Sequence, residues 1–185
     1  DYIVVEEQIA RMTPQQASYL LAHELFHVLT RNNPDFREKM YKLIGFNIVP
    51  EEFEVPTDLR DVVITNPDVN RFDSYARFRI KGEERPCAML IYANKPYEGG
   101  SFFNYLTIGL MPLKDGKAEQ KDGKTVIYGI KDAENFFEQV GRNTNYIINP
   151  EEILAENFAF LLTRKPVTGT PELIEKMRQA LQPQR

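Results

Sequence analysis

The sequence is poor in cysteine, with Cys87 as its only one among 185 residues. A single cysteine cannot form a disulfide within the chain, so the fold has no covalent cross-link of its own. Cys87 stands in an apolar stretch, and we interpret it as a buried thiol in a strand. Cysteine usage therefore gives no indication of a redox compartment.

Long apolar runs and an excess of positive charge are also absent. No uncharged run approaches the roughly 18 apolar residues that a membrane span requires. The 23 basic and 27 acidic residues give a net charge of −4, and the basic residues are scattered. This distribution argues against nucleic acid and against an anionic membrane surface as partners. The remaining composition, 42% hydrophobic and 27% charged, is that of a folded domain with its own core.

The chain begins at Asp1, without a methionine and without a charged segment followed by an apolar one, as in a secretion signal. Either a leader has been removed, which slightly favours an exported or secreted protein, or the chain is a piece of a longer one. Residues 1–12 precede the first predicted helix and suffice for one strand. We treat residues 1–185 as a single domain.

Helix starts are marked four times by a capping residue followed by proline. Threonine or asparagine can cap free backbone amides, and proline at the first helical position gives up a donor that has no partner. The first helix is apolar nearly all round, so we expect it to be central and buried. The predicted helices span about 14–31, 34–44, 133–140, 150–163 and 171 onward.

Between about 74 and 131 the apolar pattern changes to a period of two. Four strands are predicted, in YARFRIKG, PCAMLIYA, YLTIGLM and KTVIYGI. They form an antiparallel β insert, and we expect its sheet to have one solvated face. The predicted fold is therefore α+β, with a helical core and the insert at 74–131.

Both histidines of the chain, His23 and His27, stand in HELFH within the first helix, with Glu24 between them. Residues four apart share a helix face, so the two imidazoles can converge on one metal ion, with Glu24 beside that face. The alternative is a pair of ordinary hydrogen-bonded core histidines. In that case a buried helix would also hold an unpaired carboxylate, which is costly. The pattern favours a metal site, and zinc suits its ligands.

A catalytic zinc site usually has three protein ligands, but no third histidine exists here. In one large branch of H-E-x-x-H enzymes, the motif continues with a glycine and then a third histidine or aspartate. Thr30 and Asn33 occupy those positions, which excludes the metzincin pattern. A carboxylate is therefore left as the third ligand.

The helix that starts at residue 150 carries three glutamates. Glu152 and Glu156 are four apart on a side with small alanines, so this pair suits a cation or paired donors. A helix-stabilising surface couple is the alternative, although like charges at this spacing repel. Glu151 lies on a different face, and we interpret it as a solvated carboxylate that favours the helix dipole.

HELFH followed by a later E-x-x-x-E helix resembles the gluzincin branch of zinc metallopeptidases, the thermolysin-like clan. EEILAENFAF is similar to the corresponding helix of the anthrax lethal factor type. The resemblance covers the two motif helices. It implies Glu152 as the third zinc ligand and Glu156 as a carboxylate that orients a ligand histidine. It also implies Tyr146 as the transition-state donor, although its spacing to Glu152 is shorter by one, and a packed aromatic is the alternative.

The resemblance further implies hydrolysis of a peptide or protein substrate by a zinc-activated water, with Glu24 as general base. Tyr146, or Arg142, would donate to the oxyanion. A catalytically silent zinc-stabilised binding module and a structural domain without metal are the alternatives. Glu24 argues against the silent module, because a structural site needs no base.

Peptidases of the gluzincin branch, which this sequence resembles, normally have a sheet before the H-E-x-x-H helix. Either the later strands supply this sheet or an upstream domain is absent from the chain. We expect the insert at 74–131 to lie over one side of the zinc cleft and to restrict what enters.

Overall fold

A computed structural model of the chain describes residues 11–69 and 71–182. The strand expected within residues 1–12 falls mostly on residues outside these ranges. The described chain combines five α-helices with an antiparallel sheet, so the α+β class is confirmed. Within these ranges it forms two compact units, one from residues 11–44 and 140–182, and one from the described residues of 45–139. We name them the helical unit and the sheet unit.

The helices agree closely with the sequence prediction, except that α3 is shorter. Thr13 and Asn149 cap α1 and α4 as expected, since their side chains accept hydrogen bonds from the backbone N–H groups of Gln16 and Glu152. Asn33 and Thr170 make no such bond to α2 and α5. The five helices are α1 (Pro14–Asn32), α2 (Pro34–Leu43), α3 (Phe136–Val140), α4 (Pro150–Thr163) and α5 (Pro171–Leu181).

The central buried helix of the helical unit is α4, and the prediction that α1 has this place is wrong. Ten of the 14 residues of α4 are buried, because α1, α2 and α5 all pack against it. The face of α1 that packs on α4 includes Ala22 and Phe26, whereas Leu21 and Leu25 are exposed. Both faces of α1 carry apolar residues, so the number of apolar residues in the sequence did not show which face is buried.

The sheet unit contains a seven-stranded antiparallel sheet and a separate two-stranded one. The large sheet has the order β1-β3-β4-β5-β6, with β2 also paired to β4 and β9 to β5. The small sheet pairs β7 with β8. The strands are β1 (Phe46–Ile48), β2 (Val63–Ile64), β3 (Ser74–Ile80), β4 (Glu83–Ala93), β5 (Leu106–Lys114), β6 (Lys117–Ala118), β7 (Gln120–Lys121), β8 (Lys124–Thr125) and β9 (Tyr128–Gly129).

Three of the four predicted strands are confirmed as β3, β4 and β5, but the fourth is not one strand. KTVIYGI is divided because Thr125 donates hydrogen bonds to Asp58 through both its N–H and its hydroxyl, whereas Tyr128 and Gly129 pair with β5. The short strands β1 and β2 lie before residue 74 and were missed. At three and two residues they are too short to show a period.

Both faces of the central strands are covered, so the expected solvated face is wrong for this part of the sheet. Five consecutive residues of β4, from Cys87 to Ile91, are buried, including Cys87 as predicted. On one face Leu90 and Met111 pack in a cluster that includes Leu59. On the other face Phe78 stacks on Phe136 with ring centroids 5.5 Å apart.

No helix within the described ranges is long and apolar enough to cross a membrane, in agreement with the absence of long apolar runs in the sequence.

Candidate metal centre

The packing of α1 on α4 brings both histidines to one glutamate. His23 Nε2 lies 3.0 Å from Glu152 Oε2, and His27 Nε2 lies 3.7 Å from the same oxygen. One ligand atom from each of the three residues lies within 4.8 Å of the other two. The two imidazole rings meet edge to face, with centroids 4.9 Å apart. The i, i+4 spacing in α1 thus places both rings on the side that faces α4, as expected.

The other nitrogen of each imidazole faces a second carboxylate of α4. His23 Nδ1 lies 3.3 Å from Glu156 Oε1, and His27 Nδ1 lies 3.2 Å from Glu151 Oε1. Each histidine is therefore placed between two glutamates. Carboxylates commonly occupy this outer position behind a metal-ligating histidine, where they fix the ring orientation.

Hydroxyl groups hold the two outer carboxylates in a matching way. Glu156 accepts a hydrogen bond from Thr144 at 3.0 Å, and the Tyr19 hydroxyl interacts with the same carboxylate. Glu151 accepts them from Thr30 and, at 2.7 Å, from Tyr41. A tyrosine and a threonine thus support each outer glutamate.

Burial and charge shift the pKa values in this cluster. Burial lowers the pKa of His23, but the hydrogen bonds and charges of Glu152 and Glu156 outweigh burial and raise the pKa from 6.5 to about 9. Burial raises the pKa of Glu156, whereas hydrogen bonds from His23, Tyr19 and Thr144 prevail and lower it. Burial and the neighbouring glutamates raise the pKa of Tyr19 and Tyr41, which keeps both hydroxyls protonated as donors.

His27 supplies a direct test of whether the cluster suits a metal ion. Its side chain is 3% exposed, yet its Nε2 atom has no hydrogen-bond partner among the described residues. A buried polar atom without a partner is costly, and this one points toward Glu152 and His23. Two imidazole nitrogens and a carboxylate oxygen are the donor set of many catalytic zinc sites, so His23, His27 and Glu152 could hold such an ion.

The remaining predicted residues lie at different distances from this centre. Glu24 is half-buried, and a carboxylate oxygen of it lies within 4.8 Å of a ring nitrogen of His27. The ring of Tyr146 is 42% exposed, with its centroid 6.5 Å from that of His23. The backbone N–H of Arg142 donates to Thr170 Oγ1, which ties it to the start of α5.

Glu151 corrects the sequence interpretation, which made it a solvated glutamate. It is 3% exposed and bonded to three partners, because α1 and α2 both cover the first turn of α4. The supporting hydroxyls were missed as well. Tyr19, four residues before His23, and Thr30, three after His27, share helix faces with the histidines and could have been found by spacing. Tyr41 had no sequence signal, because only the packing of α2 brings it to Glu151.

Comparisons of the chain with protein-family models, with curated proteins and with solved structures found no match.

Proposed function

We propose that this chain is a zinc-dependent peptidase of the gluzincin type, with α1 and α4 as its zincin-like core. The observation that carries the proposal is the convergence of two imidazole nitrogens on one carboxylate oxygen, with a further carboxylate behind each ring. His23, His27 and Glu152 would hold the metal. Bound zinc would polarise the scissile carbonyl and make a water molecule acidic enough to attack near neutral pH.

The residues of the chain have separate roles in this reaction. Glu24 accepts the proton of the attacking water and passes it to the leaving amine, as expected of a half-buried carboxylate beside His27. Tyr146 donates a hydrogen bond from its hydroxyl to the developing oxyanion, and its ring lies beside His23. Arg142 is the alternative donor. Glu156 holds the ring of His23 through Nδ1.

The strongest rival is a metal-free cluster of hydrogen-bonded core residues. His23 fits that interpretation, because both of its nitrogens have a carboxylate partner. His27 does not fit it, because its Nε2 is buried without a hydrogen-bond partner in the described chain. This difference between the histidines favours a metal ligand over a structural polar core.

Metal analysis tests the proposal directly. The chain purified with zinc supplied should contain one zinc ion, and Glu152→Ala should lose it because the third ligand is removed. Glu156→Ala should bind zinc about 10-fold to 100-fold more weakly, the usual effect of losing a residue that orients a ligand. Zinc affinity would be measured by competition with a coloured chelator.

Glu172→Gln serves as the control, because Glu172 is an exposed glutamate of α5. It should bind zinc as the unchanged chain does. A chain that folds but binds no zinc, or a Glu152→Ala variant with unchanged zinc content, would sink the proposal.

A further inference from the structure

Glu151 is a buried acidic residue that the proposed reaction does not use. Its carboxylate contacts three side chains on two helices: His27 and Thr30 on α1, and Tyr41 on α2. All four side chains are at most 4% exposed. A carboxylate so deeply buried needs donors for its oxygens, and here each oxygen has at least one.

The direction of these hydrogen bonds determines where the proton of His27 resides. An ionised carboxylate can only accept, so the hydroxyls of Thr30 and Tyr41 donate to it. His27 Nδ1, at 3.2 Å from Glu151 Oε1, must then carry a proton and donate it too. In a neutral imidazole the other nitrogen, Nε2, keeps the lone pair. That atom is the one without a hydrogen-bond partner and lies 3.7 Å from Glu152 Oε2.

We infer that Glu151 is a positioning residue that holds His27 in the tautomer with Nδ1 protonated, so that Nε2 presents its lone pair beside Glu152. Tyr41 and Thr30 fix the carboxylate, and the guanidinium of Arg37 lies over the Tyr41 ring at 4.7 Å from its centroid. The functional use of this tautomer depends on the proposed zinc site. The tautomer itself is a property of the metal-free chain and can be measured without zinc.

The arrangement differs from the one behind His23. Glu156 and Tyr146 both lie on the more open side of the cluster, where His23 is 12% and Glu156 is 17% exposed. The Glu151 group is closed to solvent, so water cannot replace a lost partner there. A change at Glu151 should therefore affect its histidine more than the same change at Glu156 affects His23.

Nitrogen-15 NMR of the imidazole rings in the metal-free chain at mildly alkaline pH reads the tautomer directly. The chain has only two histidines, so a His23→Gln variant assigns both rings. We expect His27 to be protonated on Nδ1 in the unchanged chain. In Glu151→Gln this preference should be lost, because an amide brings its own donor to the site and cannot accept from all three neighbours.

Zinc affinity is the second measurement. Glu151→Gln should bind zinc about 10-fold to 100-fold more weakly, and Tyr41→Phe, which keeps the carboxylate, should lose less. Glu172→Gln is the matched control on an exposed position. Thermal melting in chelator would be recorded for each variant, because the Glu151 group also joins α1, α2 and α4.

Three results would overturn the inference. The first is a His27 ring protonated on Nε2 in the unchanged chain, and the second is a Glu151→Gln variant that keeps the original tautomer. The third is a Glu151→Gln variant that melts at a lower temperature but binds zinc as tightly as the unchanged chain. If Glu151→Gln does not fold, the tautomer of the unchanged chain and the zinc affinity of Tyr41→Phe decide instead. If the unchanged chain binds no zinc, the proposed function fails, and the tautomer still decides whether Glu151 positions His27.

Discussion

At the scale of single residues, three glutamates of α4 have different surroundings although they lie within six positions. Glu151 faces Tyr41, Thr30 and His27, and Glu152 lies between the two histidines. Glu156 faces His23 and is 17% exposed. Packing thus distributes donors unequally among identical side chains, and the proposed roles of the three glutamates differ accordingly. Single substitutions at Glu24 and His23 test the roles proposed for these residues.

Replacing the proposed base is the first residue-scale prediction. Glu24→Gln should keep the fold and the zinc affinity but abolish peptide hydrolysis, because the amide has the shape of the carboxylate and cannot take the proton. Turnover of a peptide substrate, zinc content and circular dichroism would be measured together. Glu172→Gln should retain full activity, and retained turnover in Glu24→Gln would refute the base assignment.

The pKa of His23 predicts how the metal-free protein responds to pH. Because the folded pKa, about 9, lies above the usual 6.5, the contribution of His23 to stability is fully present below pH 6.5 and is lost as pH rises through 9. The free energy of unfolding in chelator should therefore begin to fall between pH 6.5 and about 7.5, below the range where Cys87 begins to titrate in the unfolded chain.

Urea unfolding at several pH values in this range measures that fall. His23→Gln should flatten it, because the amide does not titrate. Zinc should reverse the slope, since zinc needs deprotonated imidazoles and binds more tightly as pH rises. An unchanged slope in His23→Gln would show that other groups produce the pH dependence.

At the scale of elements, the first turn of α4 sets the position of two carboxylates. Asn149 begins this turn, and its side-chain oxygen accepts a hydrogen bond from the N–H of Glu152 at 2.9 Å. The cap is 6% exposed, so water cannot replace it. The order of this turn should therefore affect both the stability of the helix and the position of Glu152, the proposed zinc ligand.

Two asparagines that precede proline allow a matched test of this cap. Asn149→Ala should lower the free energy of unfolding by about 1 kcal/mol and weaken zinc binding, because the turn with Glu151 and Glu152 loses its cap. Asn33→Ala should cost much less, since Asn33 is exposed and makes no side-chain cap bond to α2. Urea unfolding and chelator competition measure both effects, and equal losses in the two variants would contradict the assignment.

At the scale of the whole molecule, every residue of the proposed zinc site belongs to the helical unit. His23, Glu24, His27, Glu152 and the outer glutamates all lie before residue 45 or after residue 139. The sheet unit contains β1 and β2, which pair with β3 and β4, so a cut at residue 74 would separate strands from their partners. The unit as a whole, residues 45–139, is therefore the part to replace.

Replacing residues 45–139 by a flexible linker tests the predicted gating role of the sheet. The remaining helices should still bind zinc and cleave small peptides, with relaxed selectivity, because they retain all the proposed ligands and the base. Zinc content and cleavage of a peptide library would be compared with those of the unchanged chain, and Glu152→Ala in the shortened protein is the control. If the shortened chain does not fold, the sheet unit is scaffold and the gating prediction is wrong.

Much of the secondary structure was predictable, because it depends on local signals. Capping residues followed by proline located α1, α2, α4 and α5, and alternating side chains located β3 to β5. The spacing of His23 and His27 was sufficient to place both imidazoles on one helix face. The short strands and the division of KTVIYGI were not predictable, since their pairing depends on residues far away in the chain, such as Asp58.

By itself the sequence determined the helices, the main strands and the face on which His23 and His27 lie, because backbone propensity and helical geometry act over a few residues. Only the tertiary structure decided that α4 and not α1 is the buried helix, that Glu152 lies between the histidines, and that Glu151 is buried against Tyr41. These facts depend on which helices pack together, and residues more than 100 positions apart form those contacts, beyond the reach of any local pattern.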